Sequence, residues 1–336
     1  MSTPIRIGIA GYGNLGRGVE ASVLQNPDMT LVGVFTRRAP ETLTPAHPDT
    51  KVFAWDTLTE HTADIDVLIL CGGSASDLPE QGPELARLFN TVDSFDTHAR
   101  IPEYFAKVDA SAAVSAHTAL ISTGWDPGLF SLNRLYGEAV LPQGETYTFW
   151  GRGVSQGHSD AIRRVPGVAG GVQYTLPAEP AIAAVRNGEQ PELTTREKHT
   201  RECFVVLEDG ADPAAVAEAI VTMPNYFDDY DTTVNFISAE ELARDHSAMP
   251  HGGFVMRSGS TGLGATVEGE PVHRQVIEYG LTLADNPSFT ASALVAYARA
   301  VARLAASGTH GAKTVFDIAP GLLSPRSAAE LRADLL

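Results

Sequence analysis

Gly11-Tyr12-Gly13-Asn14-Leu15-Gly16 spaces three glycines as G-x-G-x-x-G. The run before it, IRIGIA at 5–10, alternates β-forming residues, and the run after it places Leu15, Val19, Val23 and Leu24 at helical spacing. A strand, a glycine turn and a helix in that order bind a pyrophosphate. Gly11 permits the tight turn, Gly13 lets the backbone approach the anion, Gly16 lets helix and strand pack, and the helix start offers backbone N–H groups. A dinucleotide with a free ribose diol is met by Asp or Glu at the end of the next strand, about 20 residues on. Here that place reads Phe35-Thr36-Arg37-Arg38. A hydroxyl and two guanidiniums suit a 2′-phosphate, because guanidinium makes planar, charge-assisted pairs with phosphate oxygens, so NADP is expected rather than NAD. Cys71, Gly72, Gly73, Ser74 and Ala75 follow another buried apolar run, DVLIL, and are expected to form a second cofactor-facing loop.

Three aspartates follow expected strand ends: Asp93 and Asp96 in TVDSFDTH, and Asp126 beside Trp125 in STGWDPG. Ligands of open parallel sheets bind outside the carboxyl ends of the strands, so these carboxylates are candidates for binding an amine; Asp93 suits a capping or turn role as well. Farther along, Trp150, Gln156, His158, Thr175, Arg201, His251 and Asn286 form an unusual polar set. Arg201 lies inside an apolar strand-like run beside Cys203, Phe204 and Val205. Burying it unpaired is costly, so it is expected to meet a carboxylate, internal or from a ligand. The ten histidines include no H-E-x-x-H and no Cys/His cluster at zinc spacing, and no metal is expected. Cys71 and Cys203 form no C-x-x-C pair and read as small buried hydrophobes.

These residues need elements to hold them. Residues 30–35, 66–70, 91–95 and 118–122 read as further strands, with helical stretches at 79–89 and 101–116. Alternating strands and helices imply right-handed crossovers and a Rossmann-type doubly wound parallel sheet over 1–125. From about residue 145 the pattern changes to longer polar–apolar alternations, which suit an α+β substrate domain over 126–286. Residues 290–307 are strongly helical, Gly308 is placed to stop that helix, and the segment 287–336 is expected to complete the first domain. The stretch 258–270 is the candidate mobile loop. A length of 336 residues excludes a one-layer mini-protein. With 24 Lys and Arg against 41 Asp and Glu, the net charge of −17 repels phosphate backbones and anionic membranes, so no nucleic-acid or membrane partner is expected. The opening MSTPIRIGIAGYG has no basic segment leading into a signal-type apolar core, and a cytoplasmic protein is expected.

Taken together, GYGNLGRGVE, VGVFTRR, LCGGSASD, TVDSFDTH, STGWDPGLFSLNR, TFWGRGVSQGHSDAIRRVPGV, QYTLP, RECFVV, MPHGG and DNPSFTAS follow one another as in the meso-diaminopimelate dehydrogenase family, which the sequence resembles over nearly its whole length. The resemblance implies NADP-dependent, reversible oxidative deamination of the D centre of meso-2,6-diaminopimelate to L-2-amino-6-oxopimelate and ammonia. It further implies a homodimer assembled through the second domain and a role in lysine and cell-wall precursor supply. It assigns Asp96, Trp125 and Asp126 to the reacting D centre, with Asp96 and Asp126 as catalytic candidates. Trp150, Gln156 and His158 would shape the adjoining wall, and Thr175, Arg201, His251 and Asn286 would hold the distal L centre. Cofactor contacts would extend through Ser94, Phe95 and Asp96, and through Thr123, Gly124, Trp125, Asp126, Pro127 and Gly128. Arg152 and the segment 262–272 depart from the family pattern. The general base stays open, as do two other readings: an NADP oxidoreductase on another substrate, and an NADPH-sensing protein without catalysis. Sugar and aldehyde oxidoreductases commonly present a lysine after a late strand, where TVDSFDTHARIP has none.

Overall fold

Successive residues of a strand point to opposite faces of its sheet, so a strand covered on both faces is apolar throughout. In β1 (Ile5–Ala10) and β4 (Val67–Leu70), Ile7, Ile9, Val67 and Ile69 enter one buried cluster, and Ala10, Leu68 and Leu70 enter another. A computed structural model describes residues 3–262, 266, 267, 270, 271 and 274–336; the side chains of Gln156, Thr266, Val267, Glu270 and Pro271 are not described. The protein divides into two compact units, Met1–Leu132 with Pro287–Leu336, and Asn133–Asn286.

In the first unit, β1 and β4 join β2 (Met29–Thr36), β3 (Val52–Ala54), β5 (Thr91–Asp93), β6 (Thr118–Leu120) and β16 (Gly311–Lys313) in a parallel sheet of order β16-β6-β5-β4-β1-β2-β3. This is the expected doubly wound sheet. Helices α1 (Asn14–Leu24) and α10 (Asn286–Ala306) supply Val19, Val23, Ala291, Leu294 and Val295 to one face. Helices α2 (Leu78–Leu85) and α3 (Ile101–Val114) supply Leu78, Leu85, Tyr104, Val108 and Ala112 to the other. The edge strands β3 and β16 escaped the sequence pattern, whereas β5 and β6, also three residues each, lie within the longer runs 91–95 and 118–122. Gly308 stops α10 as expected: at φ 78° it lets the Thr309 N–H reach Leu304 O at 3.0 Å.

In the second unit, β8 (Gly153–Val154), β9 (Val168–Pro177), β10 (His199–Leu207) and β11 (Asp231–Phe236) form a mixed sheet of order β11-β10-β9-β8. A three-stranded antiparallel sheet, β15-β12-β7, is made by β7 (Gln143–Trp150), β12 (His251–Ser260) and β15 (Gln275–Leu283); β13 (Thr266–Val267) pairs with β14 (Glu270–Pro271). Helix α4 (Leu129–Val140) runs from the first unit into the second. Around the sheets lie α5 (Gln156–Arg163), α6 (Glu179–Arg186), α7 (Thr195–Lys198), α8 (Pro213–Val221) and α9 (Ala239–Asp245), and α11 (Ala328–Leu335) ends the protein. The expected mobile loop is partly strand: residues 258–260 close β12, where buried Ser258 donates to Gly188 O at 3.0 Å. Residues 263–265, 268, 269, 272 and 273 are outside the described residues, so most of the expectation for 262–272 is as well. No helix among the described residues is long and apolar enough to cross a membrane.

Candidate active site

The strand order of the first sheet reverses beside β1, between β4 and β2, and the loops leaving β1 and β4 are the glycine turn and residues 71–77. The three glycines of the turn have three different reasons to be glycine. Gly11 sits at φ 96°. A Cβ on Gly16 would lie 2.4 Å from Gly11 O, whereas a Cβ on Gly13 would meet nothing within 4 Å. Close packing therefore demands Gly16, while the space in front of Gly13, at the start of α1, is open. Tyr12, an expected cofactor contact, turns its ring into the core and donates its hydroxyl to buried Glu20, so the face it can offer a cofactor is backbone. Burial, then this bond to Glu20, pushes the Tyr12 hydroxyl up to about 12.

Thr36 closes β2, its hydroxyl accepting the Arg38 N–H at 3.2 Å. Arg38 Nη2 donates to Tyr12 O at 2.6 Å, which joins the strand end to the glycine turn. Arg37 is paired at 2.7 Å with Asp77, whose carboxylate also accepts the Gly73 N–H at 2.9 Å. Asp77 ends the 71–77 loop, and nothing in the sequence pairs it with Arg37. Cys71 is half-buried and burial raises its thiol pKa, which makes it inert packing against that loop.

The aspartates after β5 and β6 separate in role. Asp93 is 1% exposed, and its carboxylate accepts the Phe95 N–H at 3.0 Å, the Ser122 N–H at 3.0 Å and the Tyr104 hydroxyl at 2.6 Å. This corrects the expectation that Asp93 can bind an amine, because the group is shut away and its oxygens are engaged. Burial pushes its pKa up against the pull of those three donors. Asp96 is exposed, with its N–H held by Ser74 Oγ at 2.8 Å, and Ser74 lies 3.2 Å from the Thr97 hydroxyl. Trp125 is buried against Phe130, ring centroids 5.2 Å apart, and next to it Asp126 is half-buried.

In the second unit the register of β8, β9 and β10 gathers the polar set. Thr175 lies opposite Arg201 on one side and Gly153 on the other, and His199, Arg201 and Cys203 alternate inward along β10. Arg201 is 7% exposed; one amino group donates to the Thr175 hydroxyl, and its guanidinium carbon stands 3.9 Å from the Tyr230 ring centroid. Its Nε has no partner, and no carboxylate pairs with it among the described residues. An internal carboxylate is thereby excluded among those residues, and burial holds its pKa below the ordinary value. His158 lies 2.7 Å from Ser155 Oγ, edge-on to Tyr226 and Phe227. Burial first, and the Arg201 charge second, lower it to about 4.

Trp150 is held at its backbone: its N–H donates at 2.9 Å to Nε2 of buried His199, so His199 is neutral with its proton on Nδ1. Burial, Arg201 and Lys198 bring His199 to about 4. His251 accepts the Gly252 N–H at 2.9 Å and covers Gly153, where a Cβ would lie 2.6 Å from its Nδ1. The Asn286 N–H donates to Met249 O at 2.9 Å, fixing Asn286 two residues from His251. Thus Thr175 and Arg201 pair across β9 and β10, Trp150 of β7 is bonded to His199 of β10, and His251 of β12 covers Gly153 of β8, while His158 lies on α5 and Asn286 opens α10. Gln156 opens α5, but its side chain is outside the described residues. Arg152 stacks over Tyr174 at 4.8 Å and lies 3.3 Å from Glu202, which absorbs the extra charge of that departure.

Two residues here escaped sequence reasoning, His199 and Gln173. Gln173 is fully buried, donates from Nε2 to Thr175 Oγ1 at 3.3 Å, and anchors its own N–H on Ser159 Oγ at 3.0 Å. Their signal is parity: each sits two positions from a named residue on the inward face of a strand.

Comparison with known proteins shows the family. Residues 124–285 match the diaminopimelic acid dehydrogenase C-terminal domain. The chain is 65% identical over 332 residues to the meso-diaminopimelate D-dehydrogenase of Ureibacillus thermosphaericus, covering 99% of each. The solved DAP dehydrogenase of Corynebacterium glutamicum in complex with DAP superposes with a TM-score of 0.88 at 46% identity, over 100% of both proteins. An engineered D-amino acid dehydrogenase bound to NADP+ gives a TM-score of 0.82 at 45% identity, over 99% of this protein and 100% of that one. At 65% identity over 99% of both proteins to one such enzyme, and 46% identity over the full length of a solved one, the chain belongs to the meso-diaminopimelate D-dehydrogenase family.

Proposed function

We propose that the protein is an NADP-dependent meso-2,6-diaminopimelate D-dehydrogenase that reversibly converts the D centre to a ketone and releases ammonia. The observation that carries this reading is Arg201, a buried guanidinium with an unpartnered Nε and no carboxylate partner among the described residues. A ligand carboxylate supplies the missing counter-charge. In this reading Arg201, Thr175, His251 and Asn286 hold the L end, Trp150, Gln156 and His158 form the adjoining wall, and Asp96, Trp125 and Asp126 receive the D end. The two ends of the substrate differ only in handedness, so fixing the L end at Arg201 presents the D end for reaction.

NADP, when bound, supplies the hydride acceptor. The open space at Gly13 suits its pyrophosphate, and Thr36, Arg37 and Arg38 suit its 2′-phosphate, with Asp77 steering Arg37. Asp96 and Asp126 orient the substrate ammonium. Loss of its proton frees the nitrogen lone pair to form C=N as hydride leaves carbon, and water then adds to the imine and expels ammonia. A cofactor sensor without catalysis has no use for an uncompensated Arg201. The reaction belongs to lysine and cell-wall precursor supply and is placed in the cytoplasm. Exposed Leu135, Tyr136 and Val140 on α4, with Val276 and Ile277 on β15, support self-association of the second unit as a homodimer.

The test is NADPH formation with the meso, LL and DD diacids, each offered NADP or NAD. Turnover of the meso compound with NADP, and none of the LL compound, is expected. Equal use of LL and meso would remove the D-centre assignment.

A further inference from the structure

Asp96 and Asp126 stand on two separate loops, one after β5 and one after β6, and a substrate ammonium held by both requires those loops to keep a fixed spacing. One carboxylate oxygen joins them. Oδ1 of Asp93 accepts the Phe95 N–H at 3.0 Å, next to Asp96, and the Ser122 N–H at 3.0 Å, at the start of the loop that carries Trp125 and Asp126. The backbone continues the join, because the Asp93 carbonyl accepts the Thr123 N–H at 2.9 Å. The other oxygen is fixed from behind by the Tyr104 hydroxyl at 2.6 Å, and the Tyr104 ring stacks on Phe95 with centroids 4.1 Å apart. Ser122 sits at φ 55°, a conformation a serine holds only where its surroundings impose it. The bond to Asp93 is such an imposition. Capping one strand end would need only the Phe95 bond; the reach to Ser122, on the loop after the neighbouring strand, is what a cap does not need.

We propose that Asp93 is a positioning residue for the reacting end of the substrate, its carboxylate clamping the Asp96 loop to the Trp125–Asp126 loop. This rests on the reading that Asp96 and Asp126 receive the D-centre ammonium. The clamp is made of acceptors, and charge is not what it needs. An asparagine at 93 keeps one oxygen for both N–H groups and turns its amide nitrogen to the Tyr104 oxygen, whereas an alanine leaves both loops unheld.

The test compares Asp93→Ala, Asp93→Asn, Asp96→Asn and Asp126→Asn by kcat and KM on meso-diaminopimelate, NADPH dissociation constant by fluorescence, and thermal midpoint. Asp93→Ala is expected to lose about 100-fold in kcat, the scale of an ångström-sized misplacement, with NADPH affinity little changed. Asp93→Asn should stay within about threefold of the parent, less than one net hydrogen bond. A folded Asp93→Ala with parental kcat beside impaired Asp96→Asn and Asp126→Asn overturns the clamp and leaves the site reading intact. Parental kcat in both Asp96→Asn and Asp126→Asn overturns the site reading itself, and the clamp with it. An Asp93→Asn variant as impaired as Asp93→Ala also overturns the clamp, since charge would then be the need. Should Asp93→Ala not fold, amide hydrogen exchange of the unaltered protein decides: the Phe95 and Ser122 amides must be protected to the same degree, and independent exchange of the two overturns the proposal.

Discussion

A guanidinium moved out of water loses its hydration and needs a compensating anion, and Arg201 has instead a hydroxyl, an aromatic ring and an unpartnered Nε. If Arg201 holds the distal carboxylate as proposed, Arg201→Met removes that carboxylate's partner, a loss of about 2–5 kcal/mol in a desolvated site. It is expected to fall on the diacid, with D-alanine or another D-amino acid of uncharged side group much less affected. Steady-state kinetics on both substrates checks this, and an equal proportional loss would move Arg201 out of the distal site. The neighbouring histidines predict a pH effect. His158 and His199 stand at about 4 in the folded protein, against roughly 6.5 for an exposed histidine. Below about pH 6.5 the unfolded state takes up protons that the folded state refuses, so stability falls as pH drops and is fully lost for these groups near pH 4. Denaturant midpoints measured down this range should decline, and His199→Gln should flatten the slope.

At the scale of elements, the turn between β1 and α1 makes two glycines diverge on substitution. A Cβ at Gly16 meets Gly11 O at 2.4 Å, a backbone atom that cannot move aside alone. Gly16→Ala is expected to lower stability by about 1–3 kcal/mol through overpacking. Gly13 faces open space, so Gly13→Ala should change stability by less than about 1 kcal/mol, the size of a helix-cap effect, while weakening NADPH binding sharply. Thermal midpoints and cofactor titrations on the two variants separate a packing glycine from a ligand glycine. Loss of stability in Gly13→Ala as large as in Gly16→Ala would mean that both serve the fold alone.

For the whole molecule, the first unit depends on its C-terminal segment being tied back to the N-terminal strands. Arg299 of α10 is 2% exposed and donates to both Asp28 oxygens, at 2.6 and 2.8 Å, to Asn26 Oδ1 at 2.7 Å and to Leu323 O at 2.8 Å. The Arg299 guanidinium holds the Asp28 carboxyl below its ordinary range, against the opposing effect of burial. Arg299→Met should cost on the order of 3 kcal/mol, the low end for a broken buried pair, because the Asp28 side chain stays 26% exposed and can hydrate. A depressed carboxyl stabilises the fold above its unfolded value of about 3.9 and loses that contribution as pH falls through the folded value. The variant should accordingly show a shallower acid limb in urea titrations, and an unchanged limb would place the acid sensitivity elsewhere.

Periodic and covalent features of the sequence decided much of the protein before any folding. The G-x-G-x-x-G spacing, the absence of an acid at Thr36-Arg37-Arg38 and the alternation of strand and helix are local in sequence, and they are enough for a doubly wound sheet with a phosphate-binding turn. Partnership was not legible, because it depends on register between distant segments. Arg201 and Thr175 meet across β10 and β9, and nothing short of that pairing shows that no carboxylate of the described residues reaches the guanidinium. Asp93 and Asp96, three residues apart in one motif, looked alike as acids; only the fold buries one against Ser122 and Tyr104 and leaves the other exposed. His199 and Gln173 drew no notice as isolated polar residues, yet strand pairing turns them inward to hold Trp150 and Thr175. Residue type is written in the sequence, whereas which polar atoms are left for a ligand is settled by what the rest of the protein has already satisfied.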